Sequence, residues 1–481
     1  MLFNSLEFLL FFPLVTAVYF ALPHRGRISW LLIASCYFYS AFIPGYLLIL
    51  FVLIGVDYTA GLLIEPAKGR RRRAILIVSL AANLGILCVF KYFNFAGANI
   101  TALFEFLRLP WVVPHLSIIL PIGLSFHTFQ SMAYTIEVYR GKVPAERDLR
   151  TYALYVLFYP QMIAGPIERP QHLLAEFHTP RTFDWARVID GLTLMLWGLW
   201  KKIVVADRLA LYVNAVYDQP RAHGGTSLLI ATYFFAWQIY CDFSGYSDVA
   251  RGAARVMGYE LMLNFDRPYA ARSVSEFWHR WHISLSTWFR DYLYIPLGGS
   301  RVRMSRRVAN LLIVFVVSGL WHGANWTFVA WGALHGLYIV ADTLSAKRQH
   351  PIRTAMAKFA SPRVLAIIQT VVTFHLVVIA WVFFRAASIS DAFYVLRHLL
   401  DFGHPSSAEI PAAVTGPYFA LSVVLIVVME LAQYWVRGDE GLSRLVRGRP
   451  FVLTMYGYAI ALSLLAFGMF SRPSQFIYFQ F

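Results

Sequence analysis

The stretch VANLLIVFVVSGLWHGANW, residues 308–326, follows a basic segment (Arg301 to Arg307) and closes an apolar run with Trp321, His322, Gly323 and Asn325. At 1.5 Å per residue, Val308 to Trp321 climbs about 20 Å, less than the roughly 30 Å hydrocarbon core of a bilayer. The HGAN turn is therefore expected within the membrane thickness. Backbone that turns at that depth must be buried in protein or line a wet cavity. Gly323 makes such a turn sterically easy.

The rest of the chain supports a membrane setting. Of its 481 residues, 58% are hydrophobic and only 14% charged, against roughly 25% charged in a soluble globular chain. The apolar runs are too long and too many for one soluble core, and the chain reads as an all-α, polytopic membrane protein. The opening MLFNSLEFLLFFPLVTAVYFAL has Glu7 and no basic residue before its apolar run. It is expected to be a retained first span instead of a cleaved signal peptide.

The net charge is +16, which raises a nucleic-acid reading. The basic residues, however, fall in short clusters between apolar runs: His24 to Arg27, Arg70 to Arg73, Arg301 to Arg307 and Arg437 to Arg449. Cytoplasmic loops look this way under the positive-inside rule. Cys36, Cys88 and Cys241 lie in apolar stretches without paired spacing, so neither a disulfide framework nor a zinc site is expected.

Spans are expected over 6–22, 28–43, 45–64, 74–94, 116–139, 151–168, 186–205, 226–250, 308–322, 325–343, 364–385, 413–435 and 451–470, with 151–168 and 274–298 open to re-entrant or interfacial placement. With the N-terminus outside, the basic loops 66–73, 301–307, 347–354 and 437–449 fall inside. The 387–411 loop and the C-terminal tail then fall outside.

Three stretches place polar groups where they are costly. In QIYCDFSGYSDVARG, 238–252, Asp248 and Arg251 are three apart and can pair on one helix face, with Ser244 and Gly245 allowing close packing. Asp242 has no evident local partner. In SEFWHRWHISLSTWFRDYLYIPLGG, 275–299, the residues Ser275, His279, His282 and Ser286 follow helical spacing as one polar stripe opposite Phe277, Trp281, Leu285 and Trp288. Such a helix lies at an interface or walls a polar cavity. No third ligand joins the two histidines at a metal-binding spacing, so no metal is expected.

The third stretch is the opening one, followed by His335 in WGALHG. An ionisable residue within a membrane marks a functional site by default. A neutral imidazole can be buried at modest cost and can take a proton from a hydroxyl, the work of a general base. Asn325, Trp326 and the backbone after Gly323 are candidates to stabilise an oxyanion. The alternative for His322 and His335 is a histidine bonded to helix backbone. No nucleophile elbow, phosphate loop or dinucleotide fingerprint competes. From the residues alone, this is an integral membrane protein with an intramembrane histidine site.

WHRWHISLSTWFRDYLYIPLGGSR and GLWHGANWTFVAWGALHG closely resemble the membrane-bound O-acyltransferase family, in its bacterial branch of polysaccharide and alginate O-acetylation. PIGLSFHTFQSMAYTIEVYRG (121–141), FYPQMIAGPIERP (158–170), CDFSGYSDVARG (241–252) and the terminal FIYFQF (476–481) look like the same branch. The resemblance implies one acyltransferase domain over 1–481, with N-terminal helices over 1–115, a core over 116–345 and C-terminal helices over 346–481. It also implies a ring of roughly 11–13 tilted spans plus re-entrant or interfacial helices around a thinned centre.

By the same resemblance, His322 is the family's essential histidine and His282 its second site position. Arg290, Asp291 and Gln130, in the matching motifs, join Ser275, His279, Ser286, Asn325, Trp326 and Asp242 as cavity candidates. No bound cofactor is implied. Acetyl-CoA would be the donor, and a periplasmic SGNH-type acetyltransferase and polysaccharide synthesis and export machinery would be the partners. The location would be the bacterial inner membrane. A competing reading is a transporter or flippase for a lipid-linked sugar. Transporters often show matched broken helices in two halves, whereas the embedded histidines and acids here concentrate between 238 and 335.

Overall fold

With no water in hydrocarbon to satisfy backbone N–H and C=O groups, a chain this apolar must satisfy them within helices. In the computed structural model, which describes residues 1–118, 120–359, 361–403, 408–435, 450–470 and 475–479, the regular elements are helices throughout. Among these residues, five helices are long and apolar enough to cross a membrane: Tyr46–Ile64, Gly69–Phe106, Met304–His322, Pro362–Arg385 and Pro417–Tyr434. The basic cluster 437–449 and the last two residues of FIYFQF lie outside the described residues. The chain divides into two compact units, Met1–Met195 with Tyr246–Met262, and Leu196–Gly245 with Leu263–Phe481.

In the first unit, a buried carboxylate joins two of the spans. Asp57 of Tyr46–Ile64 accepts hydrogen bonds from Ser79 Oγ at 2.6 Å and Asn83 Nδ2 at 2.9 Å, both on Gly69–Leu87. The stretch 151–168, open in the sequence to re-entrant or interfacial placement, holds two short helices, Leu149–Leu157 and Tyr159–Met162. Pro160 has no N–H for the Val156 carbonyl and forces the break. His127 Nδ1 donates to that carbonyl at 2.9 Å, while the amides of Gln130 and Gln161 both donate to the Tyr155 carbonyl. The freed carbonyls are thus paired again by side chains. Asp248 and Arg251 do pair, at 3.7 Å.

The second unit corrects the reading of 308–322. The helix starts at Met304 and takes in Arg306 and Arg307, so its 19 residues climb about 28 Å. The run is not short, and His322 is buried by packing instead of by a deficit of length. Gly323 has φ −157°, an extended geometry open to any residue. Its role is space, because a Cβ there would stand 2.1 Å from the Phe328 ring. The segment 347–354, expected as a loop, continues the helix Trp326–Phe359.

Met304–His322 and Trp326–Phe359 cross at their glycines. A Cβ on Gly319 would lie 2.2 Å from the Phe328 carbonyl oxygen, and one on Gly332 would lie 2.3 Å from that of Phe315. Both obstacles are backbone, which cannot swing aside. Small residues let helices in lipid approach this closely and gain dispersion contact. Gly319→Ala should therefore cost about 1–3 kcal/mol by overpacking, read as a lower unfolding midpoint in detergent. An unchanged midpoint would show that the crossing is looser than described.

Candidate active site

The sequence reads Ser275 to Ser286 as one helical stripe, but the second unit breaks that helix. Val274–Arg280 ends at Trp281, and Ile283–Phe289 starts after His282. His282 sits in the left-handed region with φ 43° and ψ 54°. A bulky residue pays about 1–3 kcal/mol for such a conformation, and it persists where the surroundings over-determine it. Here Asn264 does so. Its carbonyl accepts the Ile283 N–H at 3.0 Å, and its Oδ1 accepts the Ser284 N–H at 3.3 Å and the Ser284 hydroxyl at 3.0 Å.

The same Oδ1 lies 3.2 Å from His282 Nδ1. Because it already accepts a backbone N–H, it is an acceptor toward the ring as well. Nδ1 therefore carries the proton and donates, and Nε2 keeps the lone pair. His282 is fully buried against Phe243, with ring centroids 4.7 Å apart.

His322 closes its helix at 3% exposure. Its ring meets Trp321 and Trp331 at 5.0 Å, Phe384 at 5.5 Å and Tyr478 at 5.6 Å. Two of these rings also meet His282, Trp321 at 6.3 Å and Tyr478 at 6.4 Å. The two imidazoles, forty positions apart in the chain, thus share two aromatic walls. Trp331 also lies 5.0 Å from His335, whose Nδ1 accepts from Trp278 Nε1 at 3.3 Å. His335 is bonded to an indole instead of helix backbone.

Tyr478 is held there by a network that the sequence does not announce. Asp242 Oδ2 accepts the Ile477 N–H at 2.7 Å, and its Oδ1 meets Lys202 Nζ at 2.6 Å. Lys202 also meets Asp207 at 2.7 Å. These side chains are almost wholly buried. Lys202 arrives because Gly245 allows close approach: a Cβ there would stand 2.7 Å from the Gly198 carbonyl oxygen.

Beside this aromatic site lies a cavity of about 380 Å³, lined by Ser275, His279, Ser286 and Arg290 from the broken helix and by Arg307 and Ser318 from the His322 helix. The stripe is therefore split. Three of its residues, Ser275, His279 and Ser286, face the cavity, while the break at Trp281 turns His282 toward Asn264. His279 Nδ1 donates to the Ser275 carbonyl at 2.6 Å, and its side chain is exposed. Arg290 pairs with Asp291 at 2.8 Å. Arg307 Nε is buried, with no hydrogen-bond acceptor among the described residues.

Asn325, Trp326 and Gln130 are not among the residues that line this cavity. Asn325 Oδ1 accepts the Thr327 N–H at 3.0 Å as the cap of Trp326–Phe359, and its Nδ2 donates to the Ala387 carbonyl at 3.2 Å. Both ends of the amide thus have a partner, which leaves one Nδ2 N–H of the two for any further acceptor. Trp326 is 54% exposed. Gln130 belongs to the first unit, on the Tyr155 carbonyl. Asn264, Lys202 and Tyr478 were not picked out by the sequence reading. The only hint at Tyr478 was the motif FIYFQF.

The model of the membrane-bound O-acyltransferase family (MBOAT) matches residues 116–388. The probable alginate O-acetylase AlgI of Pseudomonas aeruginosa is 39% identical over 443 residues, covering 91% of this chain and 82% of that protein. The peptidoglycan O-acetyltransferase of Helicobacter pylori is 33% identical over 437 residues, 83% of this chain and 80% of that protein. The teichoic acid D-alanyltransferase of Bacillus subtilis is 25% identical over 275 residues, 55% of this chain and 68% of that protein.

Proposed function

Because this chain belongs to the membrane-bound O-acyltransferase family and is a multi-pass membrane O-acyltransferase, we propose that it passes an acetyl group from cytoplasmic acetyl-CoA across the bacterial inner membrane. The acetyl group is destined for O-acetylation of an exported or cell-envelope polysaccharide such as alginate. A periplasmic SGNH-type acetyltransferase and the polysaccharide synthesis and export machinery are the partners of this reading. The names of the alginate and peptidoglycan relatives support it.

The observation that carries the proposal is the joining of a buried histidine to a cavity by one helix. Ser318 lines the cavity and His322 lies one turn further on. The cavity is mostly apolar, with two arginines, which suits a thioester on a phosphate-bearing carrier. Arg307 would meet a phosphate. His322 takes the proton of the attacking hydroxyl as its oxygen bonds to the acetyl carbon. The carbon–sulfur bond then breaks, and the proton passes to the departing thiolate. His282, with its lone pair on Nε2, assists by accepting from the hydroxyl and holding it in line.

The test is labelled acetyl-CoA given to the protein in proteoliposomes, with the periplasmic partner and alginate oligomers on the far side. Label should appear as an ester on the oligomer. Arg307→Ala should raise KM for acetyl-CoA about tenfold or more with kcat retained, the loss expected of a charged hydrogen bond. No ester, but movement of a lipid-linked sugar across the bilayer, would replace this reading with the transporter.

A further inference from the structure

We propose that Asp242 is a positioning residue: through the Ile477 N–H it holds Phe476 and Tyr478 as a wall of the histidine site, with Lys202 and Asp207 fixing its carboxylate. The inference rests on the reading that His282 and His322 are the reacting pair.

Two carboxylates and one ammonium are buried together here, at 2.6 and 2.7 Å. Removing such ions from water costs several kcal/mol each, and apolar residues of similar size would often serve stability as well. The group is explained better by what it specifies. Its excess negative charge is met by a backbone donor, the Ile477 N–H, 235 positions away in the chain. Charge-assisted bonds of this type are short and strong, and Ile477 opens the short helical turn Ile477–Phe479.

On each segment, the anchoring residue is next to a ring that meets the site. Phe243 follows Asp242 and lies 4.7 Å from His282 and 4.5 Å from Tyr478. Tyr478 follows Ile477 and lies 5.6 Å from His322. Phe476, on the other side of Ile477, is fully buried and 6.0 Å from Phe243. One hydrogen bond therefore sets the register of the C-terminal segment against both imidazoles. Without it, the wall loses its placement and the site loses its exclusion of water.

The cleanest test deletes the donor without disturbing the buried charges. Ile477→Pro removes the N–H at the first position of a helical turn, where proline fits. Ile477→Ala keeps the N–H. A displaced wall of about 1 Å costs about 10²-fold in turnover. Ile477→Pro should therefore lower kcat by tens to a hundredfold, with the donor KM within twofold of wild type, while Ile477→Ala stays near wild type. Hydrogen–deuterium exchange of the peptide covering 475–479, in the full-length protein in detergent, should speed up in Ile477→Pro alone of the two.

Asp242→Ala, which leaves Lys202 and Asp207 as a balanced pair, should behave like Ile477→Pro. Equal losses in Ile477→Ala and Ile477→Pro, or a loss in Ile477→Pro with unchanged exchange, would overturn the proposal. Unchanged exchange does so however His322→Ala behaves in the same assay, so the anchor and the histidine reading are judged separately.

Discussion

His322→Ala should abolish acyl transfer while the protein still accumulates in the membrane. General-base catalysis contributes about 10²–10⁴-fold, and no other described side chain takes the place of this imidazole among Trp321, Trp331, Phe384 and Tyr478. The truncation also leaves a hole between packed rings, which lowers stability whatever the chemistry. His322→Gln separates the two effects, because it keeps most of the volume and lacks a base. Both variants should lose kcat alike, and the glutamine variant should unfold closer to the wild-type temperature. Turnover near wild type in His322→Gln would remove His322 from the chemistry.

The second large effect is expected at His282, by a different route. If this imidazole holds the attacking group instead of taking its proton, its loss should leave a measurable residue of activity. A drop of about 10²–10³-fold matches the removal of a positioned polar group from a preorganised site. His282→Asn is the informative change, since asparagine tolerates the left-handed backbone at φ 43°. It therefore keeps the break and removes the ring. His279→Gln, measured beside it, should stay near full activity, because His279 is exposed and bonded to the Ser275 carbonyl. Full activity in both would take the broken helix out of the mechanism.

The helical membrane fold was legible in the apolar runs, and the Asp248–Arg251 pair in its three-residue spacing. The resemblance in the motifs around His282 and His322 led to the family. What escaped was non-local. A 3.6-residue period describes an unbroken helix, so it placed Ser275, His279, His282 and Ser286 on one face. The break at Trp281 depends on Asn264, which lies in irregular chain. Asp242 looked partnerless because Lys202 and Ile477 are 40 and 235 positions away. Asn325 looked like an oxyanion donor because of its place after His322. Its bonds to Thr327 and Ala387 depend on the helix that follows and on a carbonyl 62 positions away.

The contact of Gly319 with the Phe328 carbonyl, and of Gly332 with that of Phe315, has a consequence for the lipid. Met304–His322 rises about 28 Å, while the 34 residues of Trp326–Phe359 rise about 51 Å. Helices pressed backbone to backbone tilt as one rod, and a long helix answers a change in bilayer thickness by changing its tilt. The rod bears His322 on one helix and Trp331 on the other, while Tyr478 reaches the same ring from the C-terminal segment. Acyl-chain length in the surrounding membrane is therefore expected to bear on the candidate site, since a change of tilt in the rod would shift His322 and Trp331 against Tyr478.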